Sequence, residues 1–160
     1  MILGLSPLVF IHTLVSLVAI VVGFVVLKGL FDNKRLDGWT RTFLATILFT
    51  NASGFILPAT KILPSHIVGV VGLVVVLVAY YARYSGKMAG KWRAVYVGTA
   101  VASLYFDCFV LVAQLFAKVP ALKAMAPTQS EPPFAIAEGI VLALFIWAGV
   151  VALRRFHPQG

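Results

Sequence analysis

Residues 8–30 read LVFIHTLVSLVAIVVGFVVLKGL, with no acidic residue and a single cation, Lys28, near the end. A helix rises about 1.5 Å per residue, so about 20 apolar residues cross a bilayer. This run meets that length, which predicts a membrane-spanning helix. No cation precedes it, and it is longer than the apolar core of a signal peptide, so it reads as a retained span.

Working outward, four more runs have the same character: residues 42–60, 66–84, 94–117 and 134–153. The whole chain is 61% hydrophobic and 11% charged, with a mean hydropathy of +1.01. A soluble domain of this size could not keep so much apolar surface from water. Lipid is the fitting solvent, and in hydrocarbon every backbone N–H and C=O must be satisfied within its own segment, which demands helices. The expected fold is all-α: one polytopic transmembrane helix bundle over residues 1–160, with five spans and an outer loop at 118–133.

Charge orients this bundle. Lys28, Lys34, Arg35 and Arg41 surround the first connection, and Arg83, Lys87, Lys91 and Arg93 the third, while Arg154 and Arg155 follow the last span. These ten fall on one side, against Lys61, Lys118 and Lys123 on the other. The positive-inside bias predicts an outside N-terminus and a cytoplasmic C-terminus, as expected of a multi-pass protein of the bacterial inner membrane. The net charge of +8 is thereby a topology signal, and nucleic acid is not an expected partner. Cys108 is the only cysteine, which excludes a disulfide framework or a CxxC pair within one chain. HExxH, GxGxxG and P-loop patterns are absent, so no catalytic residue is assigned.

The informative residues are the polar ones inside or beside the spans. His12 and His66 lie near the outer starts of spans one and three, Asn51 in the outer half of span two, and Gln114 near the outer end of span four. Glu138 is just inside span five, and Asp107 reaches near mid-membrane. Small or hydroxylated stripes follow helical spacing: His12, Ser16, Ala19 and Gly23; Thr42, Thr46, Thr50 and Ser53; Ser103, Asp107 and Gln114. Such stripes let membrane helices approach closely. An ionisable residue in a span instead faces a partner or a wet cavity. Two imidazoles on same-sided helix starts can ligate haem b, or a divalent metal with Glu138 or Glu131 as a further ligand. Asp107 and Glu138 can equally serve a small proton-coupled transporter.

The outer loop, AMAPTQSEPPF at residues 124–134, carries Gln129 and Glu131 between prolines. Ser130 or Glu131 is placed to cap the last helix. The sharper expectation is a lid over the outer mouth, above His12, His66, Gln114 and Glu138.

FIHTLVSLVAIVVG, RLDGWTRTF and KVPALKAMAPTQSEPPF together give the chain a resemblance to small multi-span bacterial predicted inner-membrane proteins without an assigned function. In its histidine-bearing helices it is loosely similar to cytochrome b561-type haem bundles. Those carry histidine pairs at both membrane sides, whereas this chain has only the outer pair, His12 and His66, with His157 in the C-terminal tail. The five-span size is similar to that of the tryptophan-rich porphyrin-binding translocators, but their Trp-Pro-rich motifs are missing around Trp39, Trp92 and Trp147. The leading expectation is an accessory, scaffold or ligand-binding membrane protein with an outer-leaflet polar site, partnered by lipid and by a second copy or a larger membrane complex.

Overall fold

The computed structural model describes residues 4–57 and 64–158. Every regular element among them is helical: α1 (Pro7–Phe31), α2 (Asp37–Ser53), α3 (Pro64–Tyr80), α4 (Lys91–Lys118), α5 (Pro120–Met125) and α6 (Pro132–Arg155). Four helical stretches are long and apolar enough to cross a membrane: Pro7–Phe31, His66–Ser85, Lys91–Lys118 and Pro132–Arg155.

Local chemistry fixes the helix starts. Ser6 Oγ accepts from Val9 N at 3.3 Å, and Pro7 occupies the first turn, where a missing N–H costs nothing. The second apolar run, expected at 42–60, is helical only to Ser53, and turns involving Gly54, Phe55 and Ile56 end it. Pro58 follows in the sequence and disfavours helix in the residue before it. Thr60 and Lys61 lie outside the described residues. The loop expected at 118–133 holds the short helix α5, which Pro120 initiates.

α4 is the central helix, packing on α1, α3 and α6, while α2 fills the groove beside α1 and α3. The core between them contains Phe43, Leu44 and Ile47 of α2, Val76 and Ala79 of α3, and Tyr96, Val97 and Leu104 of α4. At the crossing of α1 with α2 and α4, a Cβ on Gly23 would come within 2.7 Å of Phe43 Cε1 and 2.6 Å of Leu104 Cδ1. The small-residue stripe of α1 is therefore a packing seam, as Ala19 and Gly23 are both buried. The threonine stripe of α2 divides instead: Thr50 and Ser53 are buried, whereas Thr42 is exposed and bonds back to Gly38 O. Outward faces carry Val21 and Phe24 of α1, Val70 and Val74 of α3, and Ile140 and Leu144 of α6.

The two basic connections and the basic C-terminal tail meet at one end. α3 runs on into a π-helical turn, Tyr81–Ser85, which swings Arg83 inward. Its guanidinium pairs with Asp37, donates to Arg35 O at 3.3 Å, and stands 5.1 Å from the Tyr96 ring centroid. Arg93 donates to Leu153 O and Phe156 O, and His157 N donates to Asn33 Oδ1 at 2.8 Å. The end carrying His12, Ser53 and His66 is opposite, and there the bundle opens.

Candidate functional site

A cavity of about 410 Å³ lies in that opposite half, between α1, α2, α3 and α4. Each helix contributes polar groups to otherwise apolar walls. From α1 come His12, Thr13 and Ser16; from α2, Thr50 and Asn51; from α3, His66; and from α4, Asp107, Gln114 and Lys118. Five residues singled out from sequence, His12, Asn51, His66, Asp107 and Gln114, thus line one space.

Short hydrogen bonds hold the α1–α2 side. His12 Nδ1 is 2.7 Å from Ser53 Oγ, and Ser53 Oγ donates to Thr50 O at 3.3 Å. The Ser53 hydroxyl thus engages Nδ1 of the imidazole, and Nε2 lies outside that bond. Ser16 Oγ donates to His12 O at 2.7 Å, with Thr50 Oγ1 3.5 Å away. Asn51 lies against α3 because Gly72 leaves room: a Cβ there would come within 3.1 Å of Asn51 Oδ1. The rim is built by the α2–α3 connection, where Phe55 and Leu57 join the lining and the Phe55 and His66 rings lie 6.5 Å apart.

α4 supplies the long axis of the site. Asp107, Gln114 and Lys118 follow i, i+7, i+11 on one stripe, which extends about 16 Å along the helix. Asp107 is 8% exposed, and its Oδ2 has no hydrogen-bond partner among the described residues. A buried acceptor left unmatched costs about 1–3 kcal/mol. Phe106, Val110 and Leu111 flank it with apolar surface.

Three other expected site residues lie elsewhere. Glu138 is buried at 8% exposure on α6, with both carboxylate oxygens unpartnered among the described residues, but it does not line the cavity. It lies close enough to Tyr105 and Cys108 of α4 to interact with them electrostatically. Gln129 Nε2 donates to Ala113 O at 2.7 Å, docking the outer loop on α4, and Ala126 is fully buried there. None of residues 119–131 lines the cavity. Glu131 is the N-cap residue of α6 without a side-chain cap bond. Pro133 removes one of the two N–H groups that such a bond would use, and the other, Phe134 N, donates to Glu131 O at 3.2 Å. Its carboxylate instead accepts from Thr128 N, Thr128 Oγ1 and Ser130 N, and the Thr128 bond leads in holding it below the usual carboxylate range.

No group of three His, Cys, Asp or Glu side chains among the described residues is placed to hold a metal, so Glu131 and Glu138 do not complete a site with the two histidines. Sequence reasoning missed Lys118 at the mouth, although its spacing from Asp107 and Gln114 is the signal that finds it. It also read Arg83 as a solvated topology charge, whereas its place in AYYARYS, inside an apolar run, marks a buried cation. Comparison with family models, curated proteins and solved structures finds no match to this chain.

Proposed function

We propose that this is an integral membrane protein that binds a small amphipathic ligand in an outward-opening intramembrane cavity, acting as an accessory or ligand-binding subunit. One observation carries the reading: a single space of about 410 Å³ gathers His12, Asn51, His66, Asp107 and Gln114 from four helices within apolar walls. Pockets of roughly 300–1,000 Å³ with few polar groups on apolar linings are typical of small-molecule sites. Packing needs alone would close such a space, since membrane helices associate through close contact.

The proposed topology has five crossings, with the 17-residue α2 as the shortest. At about 1.5 Å per residue α2 rises roughly 25 Å, near the lower limit for a span. The ten basic residues at the connections and tail favour a cytoplasmic face there, which puts the cavity mouth outside. A bacterial inner membrane fits this reading.

Binding is testable on detergent-purified protein by thermal unfolding with short-chain amphiphiles, because a ligand that binds only the folded state raises the midpoint. Val110→Trp fills the cavity from its α4 wall. The expected result is stabilisation of the native protein by at least one six-carbon amphiphile, absent in Val110→Trp. Equal shifts in both proteins count against the reading. A Soret band in the purified protein, lost in both His12→Ala and His66→Ala, would replace it with haem ligation.

A further inference from the structure

We propose that the ligand is an organic amine, seated with its protonated nitrogen against Asp107 and its hydrocarbon body along the apolar walls. This inference rests on the ligand-binding reading and adds the chemical class of the ligand.

The argument is one of unmet acceptors. Asp107 lines the cavity, and its Oδ2 is buried without a donor among the described residues. His12, on the facing helix, spends Nδ1 on Ser53, so that Nε2 lies outside that bond. Neither Arg nor Lys lines the cavity except Lys118, eleven residues further along α4 and about 16 Å away at the mouth. No cation of the described chain is therefore within ion-pairing reach of Asp107, as its absence from every salt bridge also shows. An ionised carboxylate held away from water is costly unless a cation with its own N–H donors meets it. An ammonium group supplies both charge and up to three donors, enough for the carboxylate and a second acceptor together. Phe106 and Phe55 also line the space, and aromatic rings favour a cation over an anion. The remainder of the wall, including Leu17, Ile20 and Leu111, asks for hydrocarbon.

Two other ligand classes fit less well. A carboxylate or phosphate amphiphile would find Lys118 at the rim, but would leave Asp107 unmatched beneath it. A neutral alcohol supplies one donor and no charge.

The test compares hexylamine, hexanol and hexanoate on the purified protein at pH 7, reading apparent affinity from the concentration dependence of the unfolding midpoint. Hexylamine is expected to bind at least tenfold more tightly than hexanol, with hexanoate weakest. Asp107→Asn should lower hexylamine affinity at least tenfold and leave hexanol affinity within about twofold, while Lys118→Met should not weaken the amine. The comparison of amine with alcohol needs no variant, so it stands even where Asp107→Asn fails to fold. Equal binding of amine and alcohol, or a hexanoate preference lost in Lys118→Met, overturns the amine assignment and leaves the ligand-binding function standing. If no member stabilises the native protein more than Val110→Trp, both readings fall.

Discussion

His12 Nδ1 and Ser53 Oγ, 41 residues apart, meet at 2.7 Å and tie the first turns of α1 to the last turn of α2 beside the cavity. The pair is part-buried, so loss of one member leaves the other without its bond. Ser53→Ala is expected to cost about 1 kcal/mol and lower the unfolding midpoint. It should also free the imidazole, seen as a changed His12 side-chain NMR signal. A midpoint and signal both unchanged would show that the contact contributes neither stability nor orientation.

Gly23 is a tight point of the same helix pair. A Cβ there would crowd Phe43 and Leu104, each 1% exposed and unable to swing into open space. Gly23→Ala should therefore destabilise by about 1–3 kcal/mol, as overpacked cores do, despite the better helix propensity of alanine. Gly98 is the internal control, since a Cβ there meets nothing within 4 Å. Gly98→Ala should leave the midpoint unchanged or raise it. If Gly23→Ala behaves like Gly98→Ala, the seam is looser than the packing distances indicate.

How much of this was legible in the sequence depends on what decides each feature. Helix positions were readable because lipid imposes one rule on every span: α1, α4 and α6 each extend only a few residues beyond the apolar runs that mark them. The end of α2 was not readable, because the run continues past Ser53 and local turns decide where helix stops. Grouping of His12, Asn51, His66, Asp107 and Gln114 followed from depth and helix face, quantities that spacing encodes. Glu138 has suitable depth but the wrong neighbour, and which helices pack together is a tertiary fact that spacing does not carry. The same holds for the outer loop, whose docking on α4 is set by the Gln129 bond to Ala113 O.

Topology is open to a direct check. With the basic connections cytoplasmic, Ser130→Cys should react with a membrane-impermeant maleimide added to intact cells, and Ser85→Cys should react only after permeabilisation. Both serines are exposed in the folded chain, so burial does not limit labelling. The single native cysteine, Cys108, is buried and provides a low background. Reaction of Ser85→Cys in intact cells reverses the orientation and puts the cavity mouth in the cytoplasm.

Arg83 and Asp37 make an asymmetric pair: the Arg83 side chain is 2% exposed and that of Asp37 is 61% exposed. Removing the arginine leaves Arg35 O and the Tyr96 ring face without their buried partner, so Arg83→Ala should cost on the order of 3 kcal/mol. Asp37→Asn should cost less than about 1 kcal/mol, because solvent screens that partner and Arg83 keeps its other contacts. Arg83→Lys should not restore stability, since an ammonium cannot spread planar donors over the carboxylate and carbonyl while lying over a ring. Thermal unfolding of the three variants gives the order; an Asp37→Asn loss as large as that of Arg83→Ala would make the ion pair, rather than the arginine's burial, the main term.

The outer loop should loosen in acid. Glu131 accepts from Thr128 and Ser130, and those bonds hold its carboxyl below the unperturbed value of 4.5. A carboxyl depressed in the folded chain adds its stabilisation above the unfolded value and loses it as pH falls through the folded one. The loop is thus expected to stay ordered from neutral pH to about pH 5 and to open below the usual carboxylate range. Because Glu131 is solvent-screened, the effect belongs to the loop and not to global stability. Hydrogen exchange over residues 126–131 reads it, with rates corrected for the intrinsic pH dependence of exchange. Glu131→Gln should show the open-loop rate already at neutral pH and no acid transition. Gln129→Ala, which removes the bond to Ala113 O, should speed exchange at every pH but keep that transition. Since none of residues 119–131 lines the cavity, neither variant should change amphiphile binding at pH 7. Weakened binding in both variants would identify the loop as a cover for the site.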